Sequence, residues 1–203
     1  MPYSDFTFRQ LETVLQLRLE EAELYSGVKP VEISQLFSEV LAENVPLALS
    51  IHTEKARSEL IIAPVLVELR KTLRHRVSVF SGIELNVDPQ KGLNGVCDFI
   101  ISASSRQLLL SAPLIHIVEA KNENIKSGIP QCVAEMYAAQ LFNSAEACEL
   151  PVVYGVVTTG SSWKFLQLTE RTVTIDRGEY FIDNIRTIMA ILLAMTGPYL
   201  KAE

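Results

Sequence analysis

The run Leu114-Ile115-His116-Ile117-Val118-Glu119-Ala120-Lys121 restricts the fold more than any other stretch of the chain. It is short and rich in β-branched residues, with Pro113 before it and Asn122-Glu123-Asn124 after it. Those are strand signals, and apolar residues at both parities put the strand inside a sheet rather than at its edge. Side chains alternate along a strand. Ile115, Ile117, Glu119 and Lys121 are therefore expected on one face, and His116, Val118 and Ala120 on the other. Two charges then emerge from a strand otherwise fit for burial. A carboxylate taken out of water is costly unless something pairs with it. Glu119 and Lys121 are either a solvated strand end or part of a site.

The flanking segments extend the pattern. Residues 77–87 read as a strand with Gly82 marking a bulge, residues 88–95 as turn chemistry, and residues 96–103 as a returning strand. On that second strand Asp98 shares a face with Ile100 and Ser102, a charge within a buried pattern. After the central strand a helix is expected over residues 127–148, with Gln131 and Glu135 on one face four residues apart. Residues 152–159, 163–168 and 172–175 read as three further strands, and residues 180–195 as a closing helix ended by Gly197-Pro198.

Three helices are expected before the sheet. The first covers residues 6–25, with Phe8, Leu11 and Leu19 at helical spacing and Gly27 as its stop. The second covers residues 32–43, with Leu36, Phe37, Val40 and Leu41 inward and Pro46 ending it. The third covers residues 50–76, kinked or split by Pro64. Its end carries Arg70, Lys71, Arg74 and Arg76, which either complement the helix dipole or form a phosphate-contacting patch. Glu59, midway along, is either a surface residue or an acid turned toward the strands. The expected organisation is a helical extension over residues 1–48, packed on an α/β domain over residues 49–203.

Charge and cysteine usage narrow the function classes. Of the net charge of −6, the first fifty residues carry −5, with 3 basic and 8 acidic side chains. This argues against strong non-specific nucleic-acid binding through overall charge without forbidding nucleic acid. Cys97, Cys132 and Cys148 form neither a C-x-x-C motif nor an even set, so free thiols in a reducing compartment are expected. His52, His75 and His116 lack ligand spacing, which argues against zinc. With no signal-peptide pattern at residues 1–10 and no apolar run of about 20 residues, a cytoplasmic protein without membrane contact is expected.

The order helix, strand, strand with Asp98, strand with Glu119-Ala120-Lys121, helix with Gln131, strand resembles the PD-(D/E)xK superfamily, the restriction-endonuclease-like nucleases. The resemblance covers about residues 55–170, with Cys97 standing where the motif has proline. It implies a mixed β-sheet flanked by helices. It also implies that Asp98 and Glu119 bind Mg (or Mn) and that Lys121 assists the attacking water. Gln131 resembles the polar residue that several branches place on the following helix, and Glu59 the extra acid that some carry on the preceding one. The implied partner is nucleic acid, DNA first, and many proteins of this fold act as homodimers.

The chemistry is coherent without the family. Two carboxylates about 5 Å apart repel by roughly 3 kcal/mol at an effective dielectric near 20. A divalent cation removes that repulsion, and hard oxygen donors suit magnesium or manganese. Two other readings stand beside the nuclease. One is a catalytically silent member of the fold with a structural ion cluster. The other is an interaction module whose acidic N-terminal helices dock on a basic partner.

Overall fold

A computed structural model describes residues 2–200. Among the described residues eight strands form one open mixed sheet: β1 (Arg18–Ala22), β2 (Ser78–Glu84), β3 (Val96–Ser102), β4 (Leu114–Ala120), β5 (Val153–Thr158), β6 (Ser162–Thr169), β7 (Thr172–Asp176) and β8 (Tyr180–Phe181). The order is β1-β7-β6-β5-β4-β3-β2, with β8 paired to β6. One face is covered by α1 (Phe8–Thr13) and α5 (Ile125–Ala145). The other is covered by α2 (Gln35–Ile51), α3 (Glu54–Arg57), α4 (Ala63–Thr72) and α6 (Ile185–Thr196). The α/β class with a helix-flanked mixed sheet is as expected. Among the described residues no helix is long and apolar enough to cross a membrane.

β4 is central and buried at all seven positions. It runs antiparallel to β3 and parallel to β5, which it reaches through the α5 crossover. The β2–β3 register continues across Gly82, from Ser81↔Phe99 to Ile83↔Cys97, so the expected bulge is not there. The irregularity falls instead at Ile101/Ser102, opposite the start of β4. It turns Ile115 to the α4/α6 face, away from Ile117, with which strict alternation would group it. His116 packs edge-on against Tyr154 and lies 3.2 Å from Thr196 of α6.

The N-terminal third departs most from its sequence pattern. Residues 6–25 are not one helix. α1 ends at Thr13, Gln16 takes a left-handed φ of 56°, and β1 pairs in parallel with β7 from Arg18↔Thr172 to Ala22↔Asp176. Arg-Leu-Glu-Glu-Ala favours helix locally, but pairing its backbone covers the outer edge of β7. The exposed charges then suit a sheet edge that must resist further pairing. α2 runs through Pro46 to Ile51 and crosses the boundary expected near residue 48. Phe37 and Leu41 face the core while Leu36 points to solvent. The closing helix begins at Ile185 rather than residue 180, because Tyr180 and Phe181 pair with β6.

Pro64 does not split its helix. α3, a π-helical turn over Ser58–Ile62, and α4 follow one another without a break. Proline has no N–H for the carbonyl one turn earlier. Asn44 of α2 supplies the missing donor, with Nδ2 2.9 Å from Leu60 O. The wider π turn accommodates the mismatch and sends Ile61 and Ile62 into the core.

Candidate functional site

The site lies where β4 leaves the sheet. The β3–β4 register reaches Phe99↔Val118 at this end, and one step further the side chain of Asp98 takes over. Its Oδ2 accepts the Ala120 N–H at 2.8 Å. Glu119, 1% exposed, points toward α5. Its Oε1 meets Lys121 Nζ, and its Oε2 is buried with no hydrogen-bond partner. Lys121 Nζ also donates to Gln131 Oε1 at 3.3 Å, and Gln131 Nε2 donates to Glu135 Oε1 at 3.1 Å. An ammonium only donates, so the Gln131 amide must present its oxygen to Lys121 and its nitrogen to Glu135. Asp98, Glu119, Lys121 and Gln131 are thus gathered as expected from the sequence.

The electrostatics follow from burial. Desolvation pushes the Glu119 carboxyl up to about 8, and the Asp98 charge adds to this while Lys121 opposes it. Glu135 is wholly enclosed, its second oxygen also lacks a partner, and burial followed by the Glu119 charge raises its pKa well above the ordinary carboxylate range. Burial works against the Lys121 ammonium, but Glu119, Glu54 and Asp98 outweigh it and hold its pKa above the ordinary lysine value. Lys121 is therefore a cation at neutral pH, able to hold water or offset negative charge rather than to remove a proton. Three carboxyls compete for one ammonium.

Other sequence candidates lie elsewhere. Glu59 is exposed, 3.8 Å from Lys55, and borders a surface groove with Leu36 and Phe37 on the α2 side. The π turn gives the inward positions to Ile61 and Ile62, which leaves Glu59 outside. The acid on this helix whose charge is felt at Glu119 and Lys121 is the exposed Glu54, a lesser influence than the groups in contact with them. Thr53-Glu54, a capping threonine followed by a first-turn acid, was its sequence signal. Arg70, Lys71, Arg74 and Arg76 sit at the end of α4, where β4 begins. Arg76 borders Ser104 and Pro113, Arg70 contacts His75, and Lys71 contacts Glu68. The length of β4, roughly 20 Å at about 3.3 Å per residue, separates them from Glu119. They do not face the site.

Gly128 of α5 makes room for Lys121. A Cβ there would lie 2.8 Å from Val157 Cγ1 and 2.9 Å from Lys121 Cγ. Alanine normally stabilises a helix by about 1 kcal/mol over glycine. Here Gly128→Ala is expected to lower the melting temperature instead, because the overlap with strand and lysine outweighs the propensity. Thermal unfolding of the two proteins checks the sign.

Among the described residues no three His, Cys, Asp or Glu side chains cluster tightly enough to chelate an ion by themselves. Magnesium does not require that, since one or two carboxylates with water and substrate oxygens suffice. The donor set present, Asp98 with the unpartnered Glu119 Oε2, fits such an ion. Compared with known proteins, the chain matches no family model and no curated protein.

Proposed function

We propose that the chain is a metal-dependent phosphodiesterase of the PD-(D/E)xK, restriction-endonuclease-like kind, acting on nucleic acid, with DNA as the first substrate to try. The observation that carries this reading is Glu119 Oε2, buried and unpartnered, beside Asp98 and Lys121 at the end of a central strand. Asp98 and Glu119 would hold Mg or Mn. That ion, when bound, polarises a phosphodiester oxygen and makes a bound water more acidic. Lys121 positions the water and offsets charge building on the phosphate. Gln131 fixes the Lys121 ammonium, and Glu135 fixes the Gln131 amide. Cys97 and Cys132 are buried free thiols, which suits a cytoplasmic setting.

The Lys121–Glu119 contact favours one alternative, a silent member of the fold in which the ammonium takes the place of the ion. Calorimetric titration with Mn²⁺ separates the two. Binding heat is expected in the wild type and none in Asp98→Ala. At pH 7 the heat should vary with buffer, because a Glu119 carboxyl that titrates near 8 must give up its proton to bind metal. A wild type without heat would leave only the ion cluster.

A further inference from the structure

The face of the sheet that carries Glu119 also carries an open cleft of about 780 Å³. Its floor is β6, β7 and β1, which contribute Lys164, Ile175 and Glu21, and its walls are the first turns of α5 and the start of α1. Directly opposed residues of neighbouring strands share a face. Glu119 stands opposite Val157, and Val157 opposite Lys164. Acid and lysine therefore lie on one row, their backbones two strand spacings or roughly 10 Å apart. The cleft meets the site at the turn after β4, where Glu123 and Asn124 line it two and three residues beyond Lys121.

The cations of the cleft are available, and two of its three acids are engaged. Lys126, Lys164 and Arg177 line it, and among the described residues none of them pairs with a carboxylate. Lys164 Nζ donates to Arg177 O at 3.2 Å, which leaves two of its three N–H groups. Glu123 pairs with His52 at 2.7 Å and Glu179 accepts from Ser162 Oγ, while Glu21 lies on β1 at the outer edge of the sheet. The apolar wall is Ile129, buried, with Phe8 and Ile125, half-buried. A cationic rim beside an apolar wall with an aromatic ring is the arrangement that binds unpaired strands, phosphates on the cations and a base on the ring. Duplex binding depends instead on neutralising many phosphates. A chain of net charge −6 with three cations in its cleft is poorly suited to that. The volume, too, is that of a pocket for one small ligand, about 300–1,000 Å³.

We propose that this cleft makes the protein selective for single-stranded nucleic acid, by holding a nucleotide next to the bond that is cut. Lys164 and Lys126 contact the backbone of the strand, and the base lies on Phe8. A phosphate at Lys164, displaced along the row from Glu119, belongs to a neighbour of the scissile one. That the ligand is nucleic acid rests on the phosphodiesterase reading of the site at Glu119; the preference for an unpaired strand rests on the cleft.

The test uses the full chain with Ca²⁺ replacing Mg²⁺, so that nothing is cut. The probes are a fluorescein-labelled oligodeoxynucleotide, single-stranded or annealed to its complement, each titrated at several salt concentrations. The wild type is expected to bind the single strand about tenfold more tightly than the duplex. Lys164→Gln and Lys126→Gln should each weaken single-strand binding severalfold and lower the slope of log affinity against log salt by about 0.7. Phe8→Leu should weaken it about tenfold with the slope unchanged. Should that variant lose its fold, as thermal unfolding would show, the lysine variants carry the test. Arg74→Gln, which removes a charge just beyond α4, should change neither affinity nor slope. Wild-type affinity and slope in both lysine variants, equal or tighter binding of the duplex, or a wild type that binds neither probe would each overturn the proposal. If the wild type cuts DNA with Mg²⁺ while the lysine variants bind it normally, the phosphodiesterase stands and the cleft falls. If the single strand binds through the lysines and no DNA is ever cut, the cleft stands and the phosphodiesterase falls.

Discussion

Asp98→Ala and Lys121→Ala are each expected to reduce the proposed magnesium-dependent DNA cleavage by about a thousandfold or more, read as single-turnover rates with saturating enzyme. A thousandfold is about 4 kcal/mol of transition-state stabilisation, and the site gives each residue a distinct way to supply it. Asp98 already spends one oxygen on the Ala120 N–H, so its orientation is set by the backbone of the strand that carries Glu119. Removing it takes away half of the carboxylate pair and releases that N–H together. Among the described residues Lys121 is the one cation bonded to Glu119, and Gly128 and Gln131 hold its stem and head. Lys121→Arg should rescue little, because a planar guanidinium cannot occupy the space in which Gly128 closes on the stem. Equal cleavage by the wild type and both alanine variants would remove the phosphodiesterase reading.

Glu119→Gln is expected to stabilise the metal-free protein at pH 8, with a melting temperature about 5–10 °C above the wild type, and the gain should shrink toward pH 5. The folded Glu119 titrates near 8, against an ordinary value of 4.5. Between those values the folded state binds more protons than the unfolded state. The contribution of Glu119 is therefore complete below pH 4.5 and is lost as pH rises through 8. Glu135 is shifted in the same direction, so some of the slope should persist in the variant. His116 acts in the opposite sense. Burial holds its pKa down to about 3, below the ordinary 6.5, so its contribution is lost only as pH falls below that window's upper end. From pH 6.5 to 8 the carboxyls act without it, and that interval is where thermal scans should be compared. A wild-type melting temperature that is flat or rises across it would show that Glu119 is already ionised in the folded protein. Adding Mn²⁺ should narrow the gap between the two proteins at pH 8, because the ion removes the repulsion that the amide removes permanently.

A carboxylate that costs stability when empty is one that a cation stabilises on binding. Glu135 adds to that cost without touching Glu119 directly, and its partner Gln131 carries its influence to Lys121.

The sequence by itself determined the centre of this protein. β4, β3 and α5 were legible because their apolar runs and turns are local signals, and Asp98, Glu119, Lys121 and Gln131 stand out as polar residues within them. What lies at the ends of those elements was decided by tertiary structure. Arg18 to Ala22 became a strand because β7, about 150 residues later, offers an edge to pair with. Glu59 was left outside because the π turn gives the inward positions to Ile61 and Ile62, and Asn44 reaches Leu60 O in that turn from another helix. Alternation and helical periodicity record which face of an element is apolar. They carry no information about a partner that only folding brings close, and Lys164 comes into line with Glu119 for that reason alone.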